Sequence, residues 1–100
     1  MKYRYAEMTW PECKEAAAQG RVAVLPVGTY EDHGHHLPLD VDVVLSTEIC
    51  ERAVARIPEE AVLAPAVTHG YSPHHMDFPG TITIQWDTFV NYVKDVCLSL

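Results

Sequence analysis

A chain of 100 residues, 48% apolar and 21% charged, is sized for one modest hydrophobic core and lies near the globular average, which excludes a disordered or collagen-like polymer. Its formal charge of −7, from fourteen acidic and seven basic residues, repels phosphate backbones and acidic headgroups, so neither nucleic acid nor a membrane is an expected partner. Cys13, Cys50 and Cys97 are odd in number and too far apart for a zinc knuckle; with no signal-like N-terminus and no apolar run of spanning length, they predict reduced thiols in a cytoplasmic protein.

Thr9, Pro11 and Glu12 form a capping-box start and Gly20 a stop, which predicts a helix over 10–19. RVAVLPV, 21–27, is a β-branched run without polar alternation, the pattern of a strand buried on both faces, with Pro26 suited to its end. After a polar stretch over 28–42, Leu45, Ile49, Ala53, Val54 and Ile57 recur at helical spacing ahead of Pro58, predicting a second helix over about 43–57. AVLAP, 61–65, repeats the buried-strand pattern, Ala66–Gly80 is a second polar loop, and TITI, 81–84, is a short strand candidate. From Asp87, an expected N-cap, Phe89, Val93, Val96 and Leu100 set a third helix. This order asks for further parallel strands to complete its sheet, so residues 1–100 read as the opening portion of one larger α/β domain.

All six histidines, His33, His35, His36, His69, His74 and His75, fall in the two loops that follow the two expected buried strands, and none is expected in a helix or strand. In open α/β sheets ligands bind beyond the carboxyl ends of parallel strands, so both loops open onto one edge. Surface loops also collect polar residues, and the residues alone leave that plainer reading open. Glu31 and His33 are spaced to project to one side of an extended backbone, and Asp42, expected just before the second helix as its N-cap, can turn back toward them. Two carboxylates and an imidazole suit Zn²⁺ or Mn²⁺. His36 is a candidate for orienting a ligand or touching substrate, while Asp32, His35 and Asp40 read as solvated remainder. In the second loop Ser72 is expected to donate a hydrogen bond to a bound group, with Tyr71 and Phe78 as pocket walls. A Ser/His/Asp triad can be drawn there on paper, but GYSPH lacks the Gly-x-Ser-x-Gly elbow that exposes a nucleophile.

LPVGTYEDHGHHLPLDVD resembles the signature of the creatininase (creatinine amidohydrolase) family, through Glu31, His33, Gly34, His36, Leu37, Pro38 and Asp42. GYSPHHMDFPGT is similar to the family's second stretch, through Gly70, Ser72, His75, Phe78, Pro79, Gly80 and Thr81. The resemblance spans about residues 20–85 and implies a three-layer αβα hydrolase with a mostly parallel sheet, of which this chain is an incomplete N-terminal portion. It implies a binuclear Zn²⁺/Mn²⁺ centre that activates a bridging water against a non-peptide, often cyclic, C–N amide bond. By position, Glu31 would ligate one ion, His33 the other, Asp42 would bridge them, and Ser72 would meet substrate; His36 and His75 are further candidates for substrate contact. The remaining metal ligands and the acid/base group belong to a later part of the family's sequence, so no catalytic acid/base is assigned within these residues. The resemblance further implies a homo-oligomer and a small-molecule amide substrate. Formamide hydrolases, peptide-processing enzymes and a truncated, non-catalytic binding relative are the alternatives. Two positions depart from the motif, with Asp32 where glutamine is usual and His35 where proline is usual.

Overall fold

The computed structural model describes residues 1–100, in which three helices, α1 (Trp10–Ala18), α2 (Val41–Ala55) and α3 (Trp86–Ser99), accompany two strands, β1 (Val22–Val24) and β2 (Ala61–Leu63). Helix α1 starts where its capping box demands: Glu12 accepts hydrogen bonds from the Thr9 backbone N–H at 2.6 Å and the Thr9 hydroxyl at 3.0 Å. It stops at Gly20, whose φ of +71° is open to glycine at no steric cost. There the Gly20 N–H reaches the Ala17 carbonyl and the Arg21 N–H reaches that of Ala16, the paired bonds of a Schellman turn.

Strands β1 and β2 are parallel, in register Val22 to Ala61 and Val24 to Leu63, with α2 as the crossover between them. Their alternation sorts the layers. Ala61, Leu63 and Val24 turn to α2 and close a core around Val54, Tyr3 and Cys50. Ala23, Leu25 and Val62 turn to the other side, where Cys13, Ala16 and Ala17 of α1 and Cys97 at the end of α3 complete a 500 Å³ cavity. Helices thus lie on both faces of a parallel sheet, the expected αβα arrangement in part.

Both strands were expected to be buried on both faces, and only β2 is. Val22 is 63% exposed because β1 is an edge, whereas β2 is flanked on its other side by the N-terminal segment. That segment, which carries no strand pattern in sequence, forms a parallel bridge between Arg4 and Leu63, with the Leu63 N–H donating to the Tyr3 carbonyl at 2.7 Å. Arg21 ties it down through the Lys2 carbonyl at 2.7 Å, and Arg4 pairs with Glu51 on α2.

Three further boundaries differ from expectation. The strand over 21–27 ends at Val24; proline has no N–H to give, but the Pro26 carbonyl still accepts from Val67, and a bridge resumes at Val27 to Val67. TITI forms a single bridge, Gly70 to Thr83; its Ile82 and Ile84 N–H groups donate to the Tyr30 and Gly70 carbonyls, while the Thr81 and Thr83 hydroxyls accept from the loop N–H groups of Asp32 and Ser72. Helix α3 begins at Trp86 with Gln85 as N-cap, which places Asp87 inside the first turn, where its charge still complements the helix dipole. No helix is long and apolar enough to cross a membrane.

Candidate metal centre

The loops after β1 and β2 meet beyond the carboxyl ends of the strands, as the parallel order requires. Gly28 makes the meeting possible, because its backbone passes so close to α2 that a Cβ would stand 2.8 Å from the Val43 nitrogen. The first loop then runs extended through Tyr30, whose carbonyl accepts from the Ile82 N–H at 2.9 Å, and Glu31, whose N–H donates to the Leu39 carbonyl at 3.2 Å. A turn at Gly34, with φ of +70°, brings His33 back opposite Leu37.

On this frame Glu31, His33 and Asp42 converge, their ligand atoms all within 4.8 Å of one another and each partly buried. The helix begins earlier than expected, at Val41, so Asp40 occupies the N-cap position and Asp42 the first turn. That correction leaves Asp42 free of capping and mounted on regular helix. The His33 ring is fixed at both nitrogens: Nδ1 lies 2.9 Å from the Glu31 carbonyl and Nε2 lies 3.1 Å from Asp42 Oδ1. The backbone carbonyl first, then the charge and hydrogen bond of Asp42, raise the His33 pKa above the ordinary imidazole value against partial desolvation.

The donor chemistry fits a divalent cation. Two carboxylates and an imidazole make a mixed oxygen/nitrogen set, and an Nδ1–H held on a carbonyl is the usual way a ligating histidine presents Nε2. Three donors leave coordination positions open, as a catalytic site needs and a closed structural site does not.

The second loop backs this trio. Ser72, only 2% exposed, donates its hydroxyl to Glu31 Oε2 at 2.8 Å and lies 3.3 Å from the Thr29 hydroxyl. His75 ends a 3₁₀ turn over Pro73–His75, so it and His74 stand in a short helical turn where irregular loop was expected. Its Nδ1 is 2.7 Å from Asp32 Oδ1 and its Nε2 3.8 Å from Glu31 Oε2. Of the residues expected to meet substrate, Ser72 and His75 therefore touch Glu31, and His36 is exposed with its ring against Gly34.

Asp32 corrects the reading of it as solvated remainder, since its carboxylate holds His75 and its N–H donates to the buried Thr81 hydroxyl at 3.0 Å. Thr81 was noted in sequence only as a match to the second stretch and Thr83 not at all, because Thr-Ile alternation reads as a strand; the motif match of Thr81 was the available signal. Beside the trio opens a cleft of about 610 Å³, lined by Glu31, Asp42, Ser72, Tyr71, Trp86 and Phe89 among others. Tyr71 meets Trp86 edge to face, with ring centroids 5.4 Å apart.

The sequence matches the Creatininase family, described as creatinine amidohydrolase, over residues 6–100. The creatinine amidohydrolase of Pseudomonas putida is 37% identical over 100 residues, covering 94% of this chain and 38% of that protein. The mycofactocin precursor peptide peptidase of Mycobacterium tuberculosis is 41% identical over 69 residues, covering 61% of this chain and 28% of that protein. A crystal structure of creatinine amidohydrolase (creatininase) superposes with a TM-score of 0.85 at 36% identity, covering 96% of this chain and 39% of the other. A Zn-Zn form of a creatininase mutant and a Mn form of creatininase match with the same TM-score of 0.85. The chain spans about two fifths of the length of the creatininases it matches.

Proposed function

Because the chain belongs to the creatininase family, we propose that it supplies the N-terminal half-site of a metal-dependent amidohydrolase acting on a non-peptide, often cyclic, C–N bond. The convergence of Glu31, His33 and Asp42 within 4.8 Å carries this reading. Zn²⁺ and Mn²⁺ suit that donor set, and we propose a binuclear centre with Asp42 as the shared ligand. The chemistry such ions supply when bound is Lewis-acid polarisation of a carbonyl and a lowered pKa for water.

The chain's own residues hold and orient. Ser72 binds one oxygen of Glu31 and leaves the other for ligation. His33 presents Nε2 because the Glu31 carbonyl holds Nδ1. Asp42 is fixed by the first turn of α2. His36, exposed beside Gly34, is free to meet substrate, and Tyr71 and Trp86 shape the cleft wall. Ser72 and His75 are proposed as substrate contacts beside Glu31, which Ser72 hydrogen-bonds. No acid/base group is assigned within the chain. A homo-oligomer working in the cytoplasm belongs to the same proposal.

Elemental analysis of the full-length protein, with a screen of creatinine, formamides and small cyclic amides, tests it. Zn or Mn is expected to co-purify, and Glu31→Gln and His33→Ala are expected to lose both metal and hydrolysis. Metal content and activity unaffected by either substitution would sink the reading. A second reading, hydrolysis of a C–N bond in a peptide, is supported by the 41% identity to the peptide peptidase. Turnover of short peptides in place of cyclic amides in the same screen would favour it.

A further inference from the structure

We infer that Asp32 and His75 form a positioning pair for Glu31, tuning the metal centre without ligating it; this rests on the metal reading of Glu31. His75 stands between two carboxylates of the opposite loop. Its Nδ1 is 2.7 Å from Asp32 Oδ1, the length of a charge-assisted hydrogen bond with Nδ1–H donating. Its Nε2 edge thereby faces Glu31, 3.8 Å from Oε2. The same Oε2 accepts the Ser72 hydroxyl at 2.8 Å. Two residues of the second loop thus bracket one oxygen of a first-loop ligand, and His75 itself lies outside the three-donor group.

Asp32 is itself anchored. Its backbone N–H donates to Thr81 Oγ1 at 3.0 Å, and that hydroxyl lies 3.4 Å from Asp32 Oδ1. Thr81 is buried, so the anchor is shielded from competing water. Thr81 thus anchors Asp32 and Asp32 anchors His75 through hydrogen bonds, and the His75 ring so held packs 3.8 Å from Glu31 Oε2, limiting where that carboxylate can swing. A carboxylate held in one rotamer before an ion arrives loses less entropy on ligation. Partners behind metal ligands are typically worth roughly ten- to a hundredfold in affinity.

The test is titration of the metal-free, full-length protein with Zn²⁺ against a competing chelator. Asp32→Ala and His75→Ala are each expected to weaken Zn²⁺ binding roughly ten- to a hundredfold, with the metal-free melting temperature unchanged. The double variant is expected to be no weaker than the worse single one, because both act through one chain of contacts. Asp32→Asn, which keeps an acceptor for the His75 Nδ1–H, is expected to recover most of the loss. Wild-type affinity in Asp32→Ala and His75→Ala, alongside lost binding in Glu31→Gln, overturns the pair and leaves the metal reading standing. A lowered metal-free melting temperature with unchanged affinity reduces the pair to a structural contact and also overturns the inference. Unchanged binding in Glu31→Gln removes the metal reading, and the pair's role with it.

Discussion

At Gly28 a single missing methyl decides where Asp42 stands. A Cβ there would lie 2.8 Å from the Val43 nitrogen and 2.9 Å from the Asp42 carbonyl carbon, both backbone atoms that cannot swing away. Gly28→Ala is therefore expected to destabilise by about 1–3 kcal/mol, as overpacking does, and to weaken Zn²⁺ binding because α2 must shift. Urea denaturation and chelator competition on one preparation measure the two effects, and an unchanged midpoint would contradict the close approach. The core offers a contrasting case. Val54 is 1% exposed, and Val54→Ala is expected to cost about 2 kcal/mol from lost burial and a residual cavity, with metal affinity unaffected. The trio of Glu31, His33 and Asp42 was legible in sequence as a candidate set, because the three belong to one motif, and the structure brings their donor atoms together. Asp32 was not. Its role depends on Thr81 and His75, more than forty residues away in the chain, and only loop packing brings them together.

Among the elements, α1 carries the clearest electrostatic device. The Thr9 backbone N–H first, then the Thr9 hydroxyl and Lys2, hold the Glu12 carboxyl below the usual glutamate value. A depressed folded-state pKa contributes stability that is present above the unfolded value, about 4.3, and is lost as pH falls through the folded one. Glu12→Gln is accordingly expected to lower the melting temperature at pH 7, with the gap to wild type closing as the pH is taken below 4; a constant gap would contradict the cap's dependence on charge. Glu51 behaves in the same direction because Arg4 lies against it. Element types were mostly legible because helical spacing, capping and the Schellman glycine are local signals. The β1 burial and the TITI strand were misjudged for a shared reason: a strand's burial and ladder depend on which neighbours arrive, and an apolar run looks alike at an edge and at a centre.

For the molecule as a whole, the exposed apolar side chains mark how much of the fold these residues represent. Leu45 and Ile49 on α2, Trp86 and Leu98 on α3 and Val22 on β1 are all exposed, and α3 buries no residue fully. These faces accord with a chain that spans about two fifths of the creatininases it matches. Glu31, His33 and Asp42 lie in the first loop and the first turn of α2, so an ion held by them would pin that loop to the helix. Zn²⁺ at a hundredfold excess over its Kd is expected to stabilise the full-length protein by about 2.7 kcal/mol, and a chelator to remove that gain. Thermal melts with and without chelator measure it; identical curves would count against a bound ion.

By itself the sequence determined the local grammar: that three helices form and where α1 starts and stops, that two parallel strands feed two polar loops, and that Glu31, His33 and Asp42 share a motif. These follow from short-range sterics, capping and periodicity, which need no distant partner. Only the tertiary structure decided that the N-terminal segment flanks β2, that β1 is an edge, and that Ser72, His75 and Asp32 back the Glu31 carboxylate. Each is a contact between residues far apart in the chain, and hydrogen bonds across such distances leave no period in the sequence to read.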